Sequence, residues 1–145
     1  MFIRCWGSRG SIPVSGPQYL RYGGDSTCME VRSKEGDIIV VDAGTGIRSL
    51  GIKLGREKAK RIHLLMTHAH FDHVMGFPFF APPLYRKGTE IVIHGCPFEL
   101  PSYAHILKGI MTSPYCPVDF GDIPAKLTID KICSRPFKIG PITVR

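Results

Sequence analysis

The sequence predicts an α/β domain, α+β by some schemes, on three observations. The runs Ile38–Val41 and Ile62–Met66 are short, apolar and rich in branched side chains, the pattern of strands buried on both faces. Between them lies a segment with helical apolar spacing. Glycine or proline separates successive runs, so strands and helices interleave in one layered core. At 145 residues the chain has the length of one domain, spanning residues 1–145.

The elements follow in order. Phe2–Trp6 reads as an opening strand, and Gly7 to Gly24 as a long loop with five glycines and two prolines. Thr27–Arg32 alternates, and Glu35-Gly36-Asp37 supplies turn chemistry before Ile38–Val41, so a hairpin is expected. Asp42-Ala43-Gly44-Thr45-Gly46 leads into a helix with Ile47, Leu50 and Leu54 on one stripe, which Gly55 weakens or ends. Ile62–Met66 runs directly into Thr67-His68-Ala69-His70-Phe71-Asp72-His73. Glu90–His94 is a further strand and Pro101 to about Met111 a helix, with Tyr103, Leu107, Ile110 and Met111 on one side. Leu127–Ile129 and Pro141–Arg145 are weaker strand signals. The stretch Phe137–Arg145 stops as if in mid-strand, which reads as one part of a longer protein.

Composition excludes several classes. Hydrophobic residues make up 43% and charged residues 21%, which rules out wholesale disorder. No apolar run approaches a membrane span. Met1 to Gly7 lacks the basic start and apolar stretch of a secretory signal. Five widely spaced cysteines, at 5, 28, 96, 116 and 133, with no C-x-x-C, point to reduced thiols and a cytoplasmic protein. Nineteen Lys and Arg against 12 Asp and Glu give a net charge of +7, which favours anionic partners. Lys53, Arg56, Lys58, Lys60 and Arg61 form a basic cluster that reads first as a solvated helix face.

The chemistry concentrates in H-x-H-x-D-H. His68, His70, Asp72 and His73 put four metal-capable side chains within six residues, just past the carboxyl end of a buried strand. His68 and His70 share parity on an extended segment and can point one way. Asp72 and His73 can turn toward a neighbouring point. The pattern suits two divalent ions, zinc first, with manganese or iron as alternatives. Two such ions would make hydroxide available near neutral pH and clamp it against a substrate. Asp72 would be a ligand and could orient that hydroxide as a catalytic group. Asp42, ending another buried strand, is the candidate to hold the second nitrogen of a ligating imidazole. Its other reading is a carboxylate at a helix N-terminus. His63, His94 and His105 stand alone in their elements and read as surface or satisfied residues. Phe77, Phe79 and Phe80 could stack a base near the metals, but packing under a loop is the preferred reading. Gly44-Thr45-Gly46 fails as a dinucleotide fingerprint, because Ser49 stands where a third glycine is needed.

With these residues in place, the chain resembles the metallo-β-lactamase superfamily, H-x-H-x-D-H being the most specific mark. Trp6-Gly7-Ser8-Arg9-Gly10-Ser11-Ile12-Pro13, Arg21-Tyr22-Gly23-Gly24, Gly76-Phe77-Pro78-Phe79-Phe80 and Pro114-Tyr115-Cys116-Pro117-Val118 resemble its phosphodiesterase-like, ribonuclease Z-like branch. The resemblance implies an αββα sandwich, of which this chain would be the N-terminal half: a mixed sheet with helices on one face. It assigns His68 and His70 to a first metal and Asp72 and His73 to a second. It also implies a third histidine, a bridging aspartate and a last histidine, none of which can be placed here. Asp119, Asp122 and Asp130 lack the strand-end context of a bridging ligand. Asp25, where asparagine is expected, and Ala69, where a hydroxyl residue is common, depart from the pattern without removing a ligand.

The function this implies is metal-dependent hydrolysis of a phosphodiester in a small molecule, nucleotide or RNA, with the chain alone inactive if the later ligands are absent. Two alternatives stay open. One is hydrolysis of a thioester, lactam or other carboxyl derivative by the same hydroxide. The other is a metal-binding or degenerate module without turnover. Half a sandwich would leave one sheet face open, to be covered by the missing half or a second copy. The expected result is a homodimer or poorly soluble chain, and a clean monomer in sedimentation would contradict it.

Overall fold

The structure, a computed structural model, describes residues 1–96, 102–132 and 135–145. Its elements in chain order are β1 (Phe2–Gly7), β2 (Cys28–Arg32), β3 (Ile38–Val41), α1 (Ile47–Arg56), β4 (Arg61–Leu65), α2 (Phe71–Val74), β5 (Glu90–Gly95), α3 (Tyr103–Ile110), β6 (Lys126–Lys131), β7 (Phe137–Ile139) and β8 (Ile142–Val144). Strands β1 to β6 form one sheet in sequence order, and β7 and β8 a separate hairpin. The pairs β1–β2 and β2–β3 are antiparallel, and β3–β4, β4–β5 and β5–β6 are parallel. This is the mixed α/β sheet the sequence predicts. Among the described residues no helix is long and apolar enough to cross a membrane.

Register separates the two faces. One row pairs Glu30, Val40, Leu64, Ile93 and Ile129, and the next pairs Arg32, Ile38, Ile62, Ile91 and Leu127. Their apolar members join Ile47, Leu50 and Leu54 of α1, Tyr103 and Leu107 of α3, and Phe77, Phe80 and Leu84 in the main core. Burial pushes the Tyr103 hydroxyl up to about 12, in keeping with a ring used for packing. Helix α1 runs through Gly55 to Arg56 rather than ending there. A Cβ on Gly51 would lie 2.5 Å from the Ala81 carbonyl oxygen, and one on Gly55 2.5 Å from the Pro82 ring. Close packing thus explains two glycines that helix propensity disfavours.

Glu30 is wholly buried on this face. It accepts from Trp6 Nε1 (2.9 Å), Arg32 Nε (2.8 Å) and Lys53 Nζ (2.7 Å). Burial alone would raise its carboxyl, but the hydrogen bonds from Lys53, Trp6 and Arg32 outweigh it and hold the group below its usual range. Lys53 therefore belongs to a structural ion cluster, not to a solvated helix face. Arg61 faces Glu90 at 3.6 Å, while Arg56, Lys58 and Arg61 are exposed.

The opposite face carries Ile39, His63 and Val92 in one row and Val41, Leu65, His94 and Asp130 in the next. The sequence reading expects this face to be open, but the β7–β8 hairpin covers part of it. Phe137 stacks on His94 with ring centroids 4.9 Å apart, and Ile39, Val92, His94 and Ile139 are buried. Three cysteines, Cys5, Cys28 and Cys116, are free as expected. Cys96 is disulfide-bonded, so reduced thiols throughout do not describe this chain. Ser102 caps α3, accepting from the His105 amide, while Pro101 lies outside the described residues. Asp130 lies within β6, at its penultimate position.

His63 and His94 pair with each other, which the sequence does not reveal. His63 Nδ1 and His94 Nε2 are 2.8 Å apart, so one donates to the other, while His94 Nδ1 is buried without a hydrogen-bond partner, 3.4 Å from Asp130. Burial lowers both, His63 further through His94 and Arg61, with Asp37 and Glu90 opposing; for His94, Asp130 opposes and Arg61 adds to the lowering. A histidine lowered in the folded state leaves the unfolded chain binding more protons as pH falls below about 6.5. Thermal stability should therefore drop from pH 7 toward pH 5. His94→Leu should flatten that slope in scanning calorimetry, and an unchanged slope would refute the pairing.

Candidate metal centre

Strand β3 ends at Val41, and Asp42 follows in the left-handed region with φ 62°. A non-glycine residue is costly there and is held only by strong local bonds. Asp42 has them. Its Oδ1 accepts from the Thr67 amide at 2.8 Å, both oxygens lie 2.9 Å from Thr67 Oγ1, and Oδ2 lies 2.8 Å from His73 Nδ1. The side chain is 2% exposed. An ionised carboxylate is acceptor-only, so His73 carries its proton on Nδ1 and keeps the Nε2 lone pair free. Thr67 gives its one hydroxyl proton to Asp42 and can accept from His68 Nδ1 at 3.0 Å, which leaves His68 Nε2 free as well.

The backbone fixes the same arrangement. The Ala43 amide donates to the His73 carbonyl at 2.7 Å, and the Gly76 amide to the Ala43 carbonyl at 2.8 Å. A Cβ on Gly44 would lie 2.5 Å from the Asp72 carbonyl oxygen, and one on Gly76 2.0 Å from that of Gly44. Only glycine lets the strand-end loop and α2 approach this closely. From the other side, the Ser11 amide donates to Asp72 Oδ2 at 2.8 Å. That bond outweighs the opposing effect of burial and, with the Asp72 amide and the His73 and His70 rings, holds the Asp72 carboxyl below its usual range. The Ser11 loop is pinned in turn, because the Ser8 and Arg9 amides both donate to the Asp25 carbonyl at 3.0 Å. Asp25 also accepts from Thr45 Oγ1 at 2.8 Å, a use for the carboxylate where asparagine was expected.

The four predicted side chains are therefore neighbours. His68 lies 4.0 Å from His73 and 4.5 Å from His70 between ring centroids, and His73 Nε2 is 3.6 Å from Asp72 Oδ2. Three imidazoles and a carboxylate are the right donor types for a divalent ion, and two of the imidazoles have their second nitrogens engaged. Among the described residues, however, no three such side chains converge as a set that could hold a metal ion. Sequence reasoning named as candidates these four residues and Asp42, which the structure brings close together. It missed Thr67, whose hydroxyl bridges Asp42 to His68, and the Ser11 amide, which carries no side-chain signal at all. It also gave Arg9 no role. The Arg9 guanidinium lies over the Tyr19 ring at 5.1 Å, with a buried Nε that has no hydrogen-bond partner.

Residues 21–84 match the model of the Metallo-beta-lactamase superfamily. Two curated relatives are named Ribonuclease Z. One, from Bradyrhizobium sp. (strain ORS 278), is 29% identical over 91 residues, covering 61% of this chain and 30% of the relative. The other, from Bradyrhizobium diazoefficiens, is 31% identical over 85 residues, covering 57% of this chain and 28% of the relative. The matched part of the chain thus spans less than a third of the length of these relatives. Among solved structures, a diphosphatase of the PhnP family superposes with a TM-score of 0.58 at 18% identity, covering 94% of this chain and 53% of that one. Human tRNase Z, short form, superposes with a TM-score of 0.58 at 16% identity, covering 91% of this chain and 46% of that one. The resemblance read from the motif is thus matched in sequence over residues 21–84 and in fold over most of the chain.

The close approach of the strand-end loop and α2 predicts an asymmetry among glycines. Gly76→Ala should destabilise the chain by roughly 2–3 kcal/mol in urea denaturation, since it must displace backbone. Gly121→Ala, where a Cβ meets nothing within 4 Å, should change stability little.

Proposed function

From a chain that carries the metallo-β-lactamase fold and matches that superfamily over residues 21–84, we propose a divalent-metal-dependent hydrolase of phosphodiesters in nucleotides or RNA. The observation that carries the proposal is the H-x-H-x-D-H cluster held at a strand end by Asp42 and Ser11. Two relatives named as ribonucleases support the substrate class.

In this reading His68 and His70 hold one ion and Asp72 and His73 a second, zinc first, with manganese or iron as alternatives. When bound, such ions supply Lewis acidity and an activated water. The chain's own residues do the rest. Asp42 is a positioning residue: it orients His73 and, through Thr67, His68, keeping both Nε2 lone pairs available. The Ser11 amide keeps Asp72 ionised and aimed. Arg9, two residues before Ser11, brings a cation with an unpaired Nε on the same loop, suited to a phosphate oxygen. A carbonyl substrate would have less use for it.

A second reading has one observation in its favour. No three donors converge among the described residues, which fits the degenerate form of a module without turnover. One experiment separates these readings. The chain, purified without chelator, is assayed for metal by mass spectrometry, then for hydrolysis of bis-p-nitrophenyl phosphate, a thioester and a chromogenic lactam. The expected result, for protein that carries the later metal ligands, is phosphodiester turnover that chelator removes. Arg9→Met should raise KM for the phosphodiester about 10-fold or more, the scale of one charge-assisted hydrogen bond. Bound metal with no turnover would favour the module, and turnover of the thioester or lactam alone would overturn the phosphodiester assignment.

A further inference from the structure

Helix α2 has a second side. Asp72 is drawn back to Ser11 and His73 to Asp42, while Phe71 and Met75, one turn apart, line a groove of about 440 Å³. Its other walls are Pro78 and Phe79, the Gly109–Ile110 end of α3, and Tyr115 to Val118. The volume falls within the range of small-molecule sites.

Three of these side chains are exposed aromatics: Phe71 at 63%, Phe79 at 61% and Tyr115 at 83%. A core does not leave three rings around one slot open to water without cost. The groove also separates the phenylalanines that the sequence groups together. Phe77 and Phe80 are wholly buried and serve the core, as expected, whereas Phe79 turns out into the groove. Tyr85, beneath it, spends its hydroxyl on the Pro78 carbonyl at 2.6 Å and braces the wall. Gly109 leaves open space above it, since a Cβ there would meet nothing within 4 Å.

We propose that this groove is a stacking site for a nucleobase of the substrate, with Phe71, Phe79 and Tyr115 as its platform. The proposal rests on the phosphodiesterase reading and deepens it by naming which part of the substrate lies beyond the phosphate. The reason is placement. Phe71 stands between His70 and Asp72 in the chain, so although none of the four donors lines the groove, it begins on the residue next to two of them, within reach of a base whose phosphate is at the cluster. Planar rings offer a π-face to any base, so such a site tolerates different bases. A chain of net charge +7 suits the attached anion.

The test is binding, with metal removed, so that it does not depend on catalysis. The fluorescent nucleotide 1,N6-ethenoadenosine 5′-monophosphate is titrated into the full chain in chelator and followed by anisotropy. Adenosine 5′-monophosphate should compete, and ribose 5-phosphate and octyl phosphate should not. Phe79→Ala and Tyr115→Ala should each weaken binding about fivefold or more. Phe79→Leu should not restore it, and Gly109→Leu should block it by filling the slot. Because Phe79, Tyr115 and Gly109 are exposed, these variants should fold, which circular dichroism checks. Octyl phosphate competing as well as the nucleotide would overturn the proposal in favour of an alkyl groove. Wild-type affinity in all four variants would overturn it as well. So would a change in sedimentation mass without a change in nucleotide affinity, which would make the groove an interface between copies. Aromatic-dependent binding without turnover would leave the stacking site standing and defeat the hydrolase reading alone.

Discussion

The Asp42 carboxylate is the interaction on which the rest of the site depends. It sits where the chain leaves β3 in a left-handed conformation, and the bend aims it back at the end of β4 rather than out along the strand. There it receives the Thr67 amide and hydroxyl and the His73 ring. One buried charge thereby ties two parallel strand ends to α2 and sets the proton position on two imidazoles. Both oxygens receive a donor, which is the condition for a buried carboxylate to be tolerable.

The surrounding chain is built to keep that geometry. Gly44 and Gly76 remove the side chains that would hold α2 away from the loop. On the outer side, the Gly7–Ser11 segment is fastened to the Asp25 carbonyl and delivers an amide to Asp72. Farther off, Glu30 joins β1, β2 and α1 through Trp6, Arg32 and Lys53, and Arg32 and Lys53 also reach Glu57 at the end of α1. The antiparallel edge and the first helix are therefore linked by charge as well as by apolar contact. Lys53 is consumed in this way, whereas Arg56, Lys58 and Lys60 stay exposed.

The two faces of the sheet have different characters. The helical face is a continuous apolar core. The other face mixes apolar residues with a histidine pair and an aspartate and is partly roofed by a short hairpin. The site lies at the carboxyl end of the parallel strands, where loops from both faces meet and where open α/β sheets place their ligands.

By itself the sequence determined what is local. Strand and helix runs are legible because burial imposes periods of 2 and about 3.6 residues on them, and H-x-H-x-D-H is legible because its four donors are close in the chain. Asp42 was recognisable as a strand-end carboxylate but not distinguishable from a helix-end one; only its distance to His73 decided that. The tertiary structure alone decided the rest. Ser11 acts through its backbone, which any residue type has. The His63–His94 pair arises from adjacent registers on β4 and β5, 31 residues apart. Phe79 parts from Phe77 and Phe80 only when a short helical turn rotates it outward. In each case the deciding quantity is a distance across the fold, set by strand register and close packing, and no residue pattern along the chain encodes it.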